Sequence, residues 1–168
     1  MVEIFKDFLP DFHFKDIDRL FMTEILPWFF QDTVVTGHKH FMFSHVFMND
    51  GNVVNPRLFE PVRGMIPELL KKTKFIGVTR IRAVLYTNQG REIIHPTHTD
   101  IPLDSEFSDK FKTAVYHVNS CNGKTVIGDQ EIISQANQMI LFDNIPHYGT
   151  TQTDTDIRVV LNFNLRIE

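Results

Sequence analysis

The chain has one cysteine, Cys121, in 168 residues, so no internal disulfide can staple it and a fold held by its own packing in a reducing compartment is expected. It has no apolar run near the roughly 20 residues needed to cross a bilayer. Its start, Met-Val-Glu-Ile-Phe-Lys-Asp, lacks the charged and then apolar stretches of a secretory signal. Together these absences predict a cytoplasmic protein with no membrane role. Basic residues do not cluster beyond Lys71–Lys72, and the formal charge of −4 repels a phosphate backbone, which disfavours a general nucleic-acid binder. Repeats, low-complexity tracts and a linker are missing as well. The chain therefore reads as one domain over 1–168, with a helical and strand support region at 1–75 and a β core at 76–168. Oligomeric state leaves no mark on the pattern.

What the chain does have is phenylalanine, 16 of them within a 42% hydrophobic composition. Such large flat side chains suit the space between a sheet and a covering layer. From Asp16 to Ile25, apolar positions recur at Ile17, Leu20, Phe21 and Ile25, and Pro27 follows, which predicts a helix over that span. A second helix is predicted from Val62 to Lys72, with Met65, Ile66, Leu69 and Leu70 on one face and two lysines at the C-terminal end. From Val78 onward the pattern becomes short β-branched and aromatic runs closed by Gly, Asn, Asp or Pro, over 78–86, 113–119, 125–127, 131–134, 139–142 and 157–165. Short strands at this spacing predict a mostly β chain with N-terminal helices, folded as a sandwich or a barrel-like jelly roll. The last run has two chemistries. Ile157, Val159, Leu161, Phe163, Leu165 and Ile167 point one way, Arg158, Val160, Asn162, Asn164 and Arg166 the other. The apolar face suits a cover of N-terminal helices; the polar face is either solvated or the lining of a wet cavity.

His98 and Asp100 stand at i and i+2, so on an extended strand an imidazole and a carboxylate leave on the same side and can grip one ion. His147, 47 residues after Asp100 and just after Pro146, is the candidate third ligand. Two imidazoles and a carboxylate on one face of an octahedral ion form the facial triad of Fe(II) oxygenases, leaving three positions for a bidentate 2-oxo acid and O₂. Arg158 follows His147 by eleven residues. A hairpin centred between Gln152 and Thr153 would set it opposite His147 across a ladder, where its planar fork can hold a carboxylate. His-x-Asp alone is a weak signal. Its weight comes from the conjunction with a distal His, an Arg at this spacing and a β-rich second half.

Those motifs resemble the 2-oxoglutarate/Fe(II)-dependent dioxygenases, whose fold is a double-stranded β-helix (a cupin-like jelly roll), and in particular small single-domain, phage-type members related to the prolyl 4-hydroxylase group. The resemblance runs through Pro27-Trp28-Phe29-Phe30, Arg80-Ile81-Arg82, His98-Thr99-Asp100 and Tyr116-His117-Val118-Asn119. It continues in Asn122-Gly123-Lys124-Thr125, Asn137, Leu141-Phe142-Asp143, His147-Tyr148-Gly149 and Arg158-Val159-Val160-Leu161-Asn162. It implies His98, Asp100 and His147 as iron ligands and Arg158 as the holder of the co-substrate's far carboxylate, with Tyr86 and Thr113 as further 2-oxoglutarate contacts. It also implies Fe(II), 2-oxoglutarate and O₂ as the chemical partners, ascorbate as a reactivating reductant, and hydroxylation of a peptide side chain, prolyl among them, or of a small molecule, with release of succinate and CO₂. A carboxylate at Asp100 points to hydroxylation, since halogenating relatives have a small residue there. Gln138 stands where many relatives have Arg, and Arg158 where prolyl hydroxylases often have Lys.

Other histidines have plainer readings. His38, His40 and His45 lack a Cys or acidic partner and read as strand or loop residues. His95 is expected to support a ligand or sit at the surface, and His117 to be a satisfied core histidine. Gly123-Lys124-Thr125 lacks the upstream Gly of a phosphate-binding loop and reads as a tight turn. Arg80 and Arg82 share a strand face with Tyr86 and either contact an acidic substrate group or are structurally paired. The segments 47–61 and 101–112 are candidate rims or lids. Two other classes remain: a non-redox cupin-like metal enzyme, and a non-catalytic jelly-roll binding or structural module.

Overall fold

The structure, a computed structural model, describes residues 1–168. In chain order its elements are β1 (Val2–Phe5), α1 (Asp11–Phe21), β2 (Phe29–Gln31), β3 (Met42–Asn49), β4 (Asn52–Val53), α2 (Pro56–Arg63), α3 (Met65–Leu70), β5 (Gly77–Thr87), β6 (Phe111–His117), β7 (Lys124–Ile127), β8 (Gln130–Ile133), β9 (Gln138–Asp143), β10 (His147–Gly149) and β11 (Ile157–Arg166). A major sheet runs β1-β9-β6-β11-β5-β3-β2 with β4 on β3, and a minor sheet runs β10-β7-β8. Neighbours are antiparallel throughout. No helix is long and apolar enough to cross a membrane.

The alternation along β11 organises the molecule. Val159, Leu161, Phe163 and Leu165 enter a core with Ile81, Ala83 and Leu85 of β5, Tyr116 of β6 and Leu141 of β9, and this core is covered by Ile17, Leu20 and Phe21 of α1, Val62 of α2 and Met65 and Leu69 of α3. The opposite side of the same strands faces the minor sheet. There Val84, Val115, Val160 and Phe142 meet Ile127 and Ile132 in a second, smaller apolar cluster. Between the sheets this cluster gives way to a polar cavity, which the polar face of β11 lines at Arg158, Val160 and Asn162, while Arg166 at the strand's end is exposed.

Several local expectations need correction. The first helix occupies Asp11–Phe21, not 16–25. It ends early because Thr23 Oγ1 donates to Arg19 O (2.6 Å) and Met22 N–H to Asp18 O (2.7 Å), which closes the last turn before Pro27 is reached. Ile17, Leu20 and Phe21 are buried as expected, while Ile25 is exposed. The helix expected over 62–72 is two short helices meeting at Gly64. The ring of His13 docks in that break, with Nε2–H donating to Pro61 O (2.7 Å), and a Cβ on Gly64 would lie 2.9 Å from His13 Cε1. Met65 and Leu69 are buried and Leu70 is not. Residues 47–61 are no lid: they comprise the end of β3, the β3–β4 hairpin and most of α2, and Phe47 is fully buried. β3 itself is buried along most of its length, so it shows no alternating signature.

Candidate metal centre and its cavity

A single antiparallel bridge sets the geometry. His98 N–H donates to His147 O (3.0 Å) and His147 N–H to His98 O (2.9 Å), outside any long ladder. Residues directly opposed in this way carry their side chains on the same side. The two imidazole centroids therefore lie 4.6 Å apart. His98 Nδ1–H donates to Pro96 O (3.2 Å) and His147 Nδ1–H to Ile145 O (2.9 Å), which leaves both Nε2 lone pairs free. That tautomer, fixed by a backbone carbonyl behind the ring, is what a histidine metal ligand needs.

Asp100 supplies the third donor. Its Oδ2 lies 3.9 Å from His147 Nε2, and one donor atom from each of the three residues lies within 4.8 Å of the others. Donor atoms bound to one first-row ion at about 2.1 Å each sit roughly 3 Å apart, so small side-chain adjustments close the triad. Thr113 Oγ1 donates to Asp100 Oδ2 (2.7 Å), leaving Oδ1 unclaimed by that bond. Burial alone would raise the Asp100 pKa, but His147, the Thr113 hydroxyl, Arg80 and His98 outweigh it and hold the carboxyl below its usual range. Burial, then His147, lowers the His98 pKa, which keeps that imidazole neutral and able to bind a cation. Asn144 braces the segment: its Oδ1 accepts Ile101 N–H (3.2 Å) and its Nδ2 donates to Ile101 O (2.9 Å). Two imidazoles and one ionised carboxylate fit a divalent first-row metal.

Arg158 reaches the same cavity by a route other than the one its spacing suggested. It pairs with Tyr86 across β11 and β5, whereas His147 pairs with Ile127 across β10 and β7. The two residues thus face each other from different sheets and are not partners in a hairpin. Arg158 is 1% exposed, and its Nε donates to Ser134 Oγ (2.7 Å), Nη2 to Thr125 Oγ1 (2.9 Å) and Nη1 to Thr150 O (3.3 Å). None of these partners is a carboxylate. Burial pulls the guanidinium pKa down, with Tyr86 and Cys121 opposing, yet Arg stays charged at any working pH. A buried cation seated only by neutral oxygens is costly until an anion joins it.

The cavity encloses about 440 Å³ of atom-free space, its mouth included, and is lined by His98, His147, Arg158, Tyr86, Arg82 and Asn162 among others. The Tyr86 ring lies 5.7 Å from the Arg158 guanidinium carbon. Burial raises the Tyr86 pKa and Arg158 and Arg82 oppose it. Thr113 engages the Asp100 carboxylate from the floor of the site. His95 is buried against Tyr86, ring centroids 4.6 Å apart, and its pKa falls to about 4 through burial and then the charges of Arg158, His40 and His98. His38, His40 and His45 do not converge with the triad; His45 Nδ1–H donates to Pro27 O (2.8 Å).

Sequence reasoning missed the seat of Arg158. Ser134, Thr125 and Thr150 carry no pattern that marks them as its partners. Gly123 had a signal read only as a turn: a Cβ there would lie 2.5 Å from Arg158 Cδ, so the residue must be glycine for the arginine to pass. His117 is the satisfied core histidine expected, and its bonds explain Gln138. Nδ1–H donates to Gln138 Oε1 (2.9 Å), while Nε2 accepts from Thr125 Oγ1 (3.0 Å), the hydroxyl that accepts from Arg158. This relay works only with a neutral imidazole, and burial followed by the Arg158 charge depresses its pKa to about 3. An arginine at 138 would set a second positive charge close to that of Arg158, against the neutral His117 ring.

The strand order and the two facing sheets define a double-stranded β-helix, a jelly roll, and a donor triad lies in the space between the sheets. Among solved structures it is similar to a 2OG-Fe(II) oxygenase family oxidoreductase from Burkholderia pseudomallei (TM-score 0.70, 11% identity, 98% of this chain and 84% of that one). It is also similar to HygX from Streptomyces hygroscopicus with nickel and 2-oxoglutarate bound (0.65, 9%, 99% and 82%). A prolyl hydroxylase from Trichoplax adhaerens in complex with a hypoxia inducible factor peptide fragment matches comparably (0.63, 11%, 98% and 83%). At these identities the likeness shows the fold. No protein-family profile and no curated protein sequence matches the chain.

Proposed function

We propose that the chain is an Fe(II)- and 2-oxoglutarate-dependent dioxygenase acting over 1–168, which hydroxylates a C–H bond of a peptide side chain or a small molecule. The observation that carries this reading is Arg158, a fully buried guanidinium without a counter-ion, in the same cavity as three convergent donors suited to a divalent metal. A non-redox metal site of the cupin kind has no use for such a cation, and a structural module has no use for either feature. Similar structures hold nickel with 2-oxoglutarate in one case and a peptide in another.

In this reading His98, Asp100 and His147 hold Fe(II). When bound, the metal supplies oxidative decarboxylation of 2-oxoglutarate by O₂, coupled to hydroxylation of the substrate, with ascorbate as the reductant that restores idle enzyme. The chain's own residues supply position. Thr113 and Asn144 fix the Asp100 segment. Arg158 binds the far carboxylate of 2-oxoglutarate with its two N–H groups not already donated, and Tyr86 flanks it. Val34, Val115 and Val160 wall the cavity and limit water around the reacting groups.

The test is anaerobic. Fe(II) and 2-oxoglutarate together should produce a weak visible charge-transfer band, absent with either alone. Mn(II) with 2-oxoglutarate at about 100 times Kd should stabilise the fold by about 2.7 kcal/mol, roughly 5–10 °C for a chain of this size. No band and no thermal shift would refute the proposal, as would wild-type succinate formation by His147→Ala.

A further inference from the structure

Arg158 accounts for one anion, and a second guanidinium, Arg82, lines the same space, with Arg80 next to it on the same face of β5. Arg80 and Arg82 lie on the side of β5 that carries Val84 and Tyr86, away from the core side of Ile81, Ala83 and Leu85. Arg82 lines the cavity beside His98, and its Nε is buried without any hydrogen-bond partner. The cross-strand neighbours of Arg82 are Asn162 on β11 and Val46 on β3, neither of them acidic. Asn162 lines the cavity too. The carboxylate whose field reaches Arg82 is that of Asp100, already engaged by Thr113 and committed to the triad. Burial, then the neighbouring Arg80, lowers the Arg82 pKa, the mark of a cation short of compensation. A structurally paired arginine would look different: it would have a partner.

Counting formal charge shows what is missing. The divalent metal and Arg158 bring three positive charges, while Asp100 and 2-oxoglutarate bring three negative ones, so that set is neutral. Arg80 and Arg82 are left over. Distance separates the two anchors as well. Arg82 pairs with Asn162 and Arg158 with Tyr86, four rungs apart, which is about 13 Å along the strands. The end carbons of a five-carbon diacid are about 5 Å apart. The two guanidiniums are thus rooted well apart along the strands, and a diacid held at the triad by one end and at Arg158 by the other has no carboxylate left for Arg82.

Resting on the oxygenase reading, the geometry points to Arg82, with Asn162 beside it and Arg80 behind, as a second anion subsite that holds a carboxylate of the molecule to be hydroxylated. The substrate class is thus narrowed to carboxylate-bearing molecules, a free or N-acylated amino acid or an acidic peptide end, in preference to neutral side chains. A zwitterion is less suited than an N-acylated acid, because its ammonium would meet the same two guanidiniums.

The experiment uses the full chain loaded with Mn(II), which does not turn over. Calorimetry first measures 2-oxoglutarate binding. The loaded protein is then titrated with N-acetylglycine and N-acetyl-L-proline, each against its own amide. Wild type should bind the acids at least tenfold more tightly than the amides, the worth of a charge-assisted pair. Arg82→Met should abolish that preference while its 2-oxoglutarate affinity stays within twofold. Arg82→Lys, which keeps the charge and loses the fork, should retain part of it, and serves where Met costs folding. Equal binding of acid and amide, or no binding of either acid, overturns the inference and leaves the oxygenase reading intact. So does a tenfold loss of 2-oxoglutarate affinity in Arg82→Met, which would give this guanidinium to the co-substrate. A flat 2-oxoglutarate titration in wild type overturns both.

Discussion

A methyl group added at position 123 would stand 2.5 Å from Arg158 Cδ, 3.1 Å from Nε and 3.3 Å from Thr150 O. Side-chain carbons do not tolerate 2.5 Å, and Thr150 O is backbone, so the arginine is the part that must yield. It is not free to do so, because Nε, Nη1 and Nη2 are tied to Ser134, Thr150 and Thr125. Relieving the clash moves the stem by about 1 Å, which breaks the Nε bond to Ser134; a bond of that kind is worth about 1.5–3 kcal/mol. Residual overpacking adds about 1–3 kcal/mol. Gly123→Ala should therefore cost roughly 3–5 kcal/mol of stability. Its ligand signature is sharper. A displaced fork keeps at most one of its two bonds to the far carboxylate, so 2-oxoglutarate should bind roughly tenfold to a hundredfold more weakly. The triad lies in other segments, so Mn(II) affinity without 2-oxoglutarate should stay near wild type. Calorimetry of the Mn(II)-loaded variant with 2-oxoglutarate, beside a melting curve, reads both quantities. Wild-type 2-oxoglutarate affinity with an unchanged melting temperature would show that Arg158 is not locked as described.

Three further outcomes follow from the same geometry. Thr113→Val keeps the shape of the side chain and removes the hydroxyl bonded to Asp100, so Fe(II) or Mn(II) affinity should fall roughly tenfold to a hundredfold; an unchanged titration would remove Thr113 from any role in holding the carboxylate. Asn137, at φ 59°, accepts Leu9 N–H and the Tyr116 hydroxyl and donates to Leu9 O. Asn137→Ala loses these bonds and strains the backbone, about 3–4 kcal/mol by denaturant midpoint, while Asn137→Gly should recover about 1 kcal/mol of it. For His117, with a folded pKa of about 3 against an ordinary value of 6.5, the unfolded chain binds the extra proton, so stability is full above about pH 6.5 and falls as pH drops toward 3, by up to about 1.4 kcal/mol per pH unit. Burial and then the charge of Arg158 oppose the proton, while the bond to Gln138 favours it. His117→Gln should show a shallower acid decline than wild type across that window, and identical slopes would contradict the account.

How much of this was legible in the sequence depended on which faces each segment presents. β5, β6, β9 and β11 announced themselves as β-rich runs, and the alternation of β11 exposed its two faces because one meets apolar helices and the other a polar cavity. The three candidate donors were legible from residue type and spacing, and the structure brings their side chains together. β3 was not, since burial on both faces erases its period. The break at Gly64 was hidden because its cause, the ring of His13, lies 51 residues away (64 − 13). The position of Arg158 was misjudged for a related reason. A hairpin is the shortest connection the 150–156 stretch allows, but the chain instead crosses from the minor sheet to the middle of the major one. Hydroxyls that seat a cation give no local signal at all, for Ser and Thr at loop and strand ends look alike whether or not something sits on them.

Because β11 sends odd-numbered side chains into the helical core and Arg158, Val160 and Asn162 toward the cavity, cohesion and cavity lining are written on interleaved letters of one segment. Drift at Val159, Leu161 or Phe163 shows in melting temperature, and drift at Asn162 in the shape and polarity of the cavity. The two properties can therefore evolve separately along ten consecutive positions. What the strand cannot absorb is a shift of phase: losing a single residue within it would deliver guanidinium and amide groups into the oily side and leucines to the polar cavity.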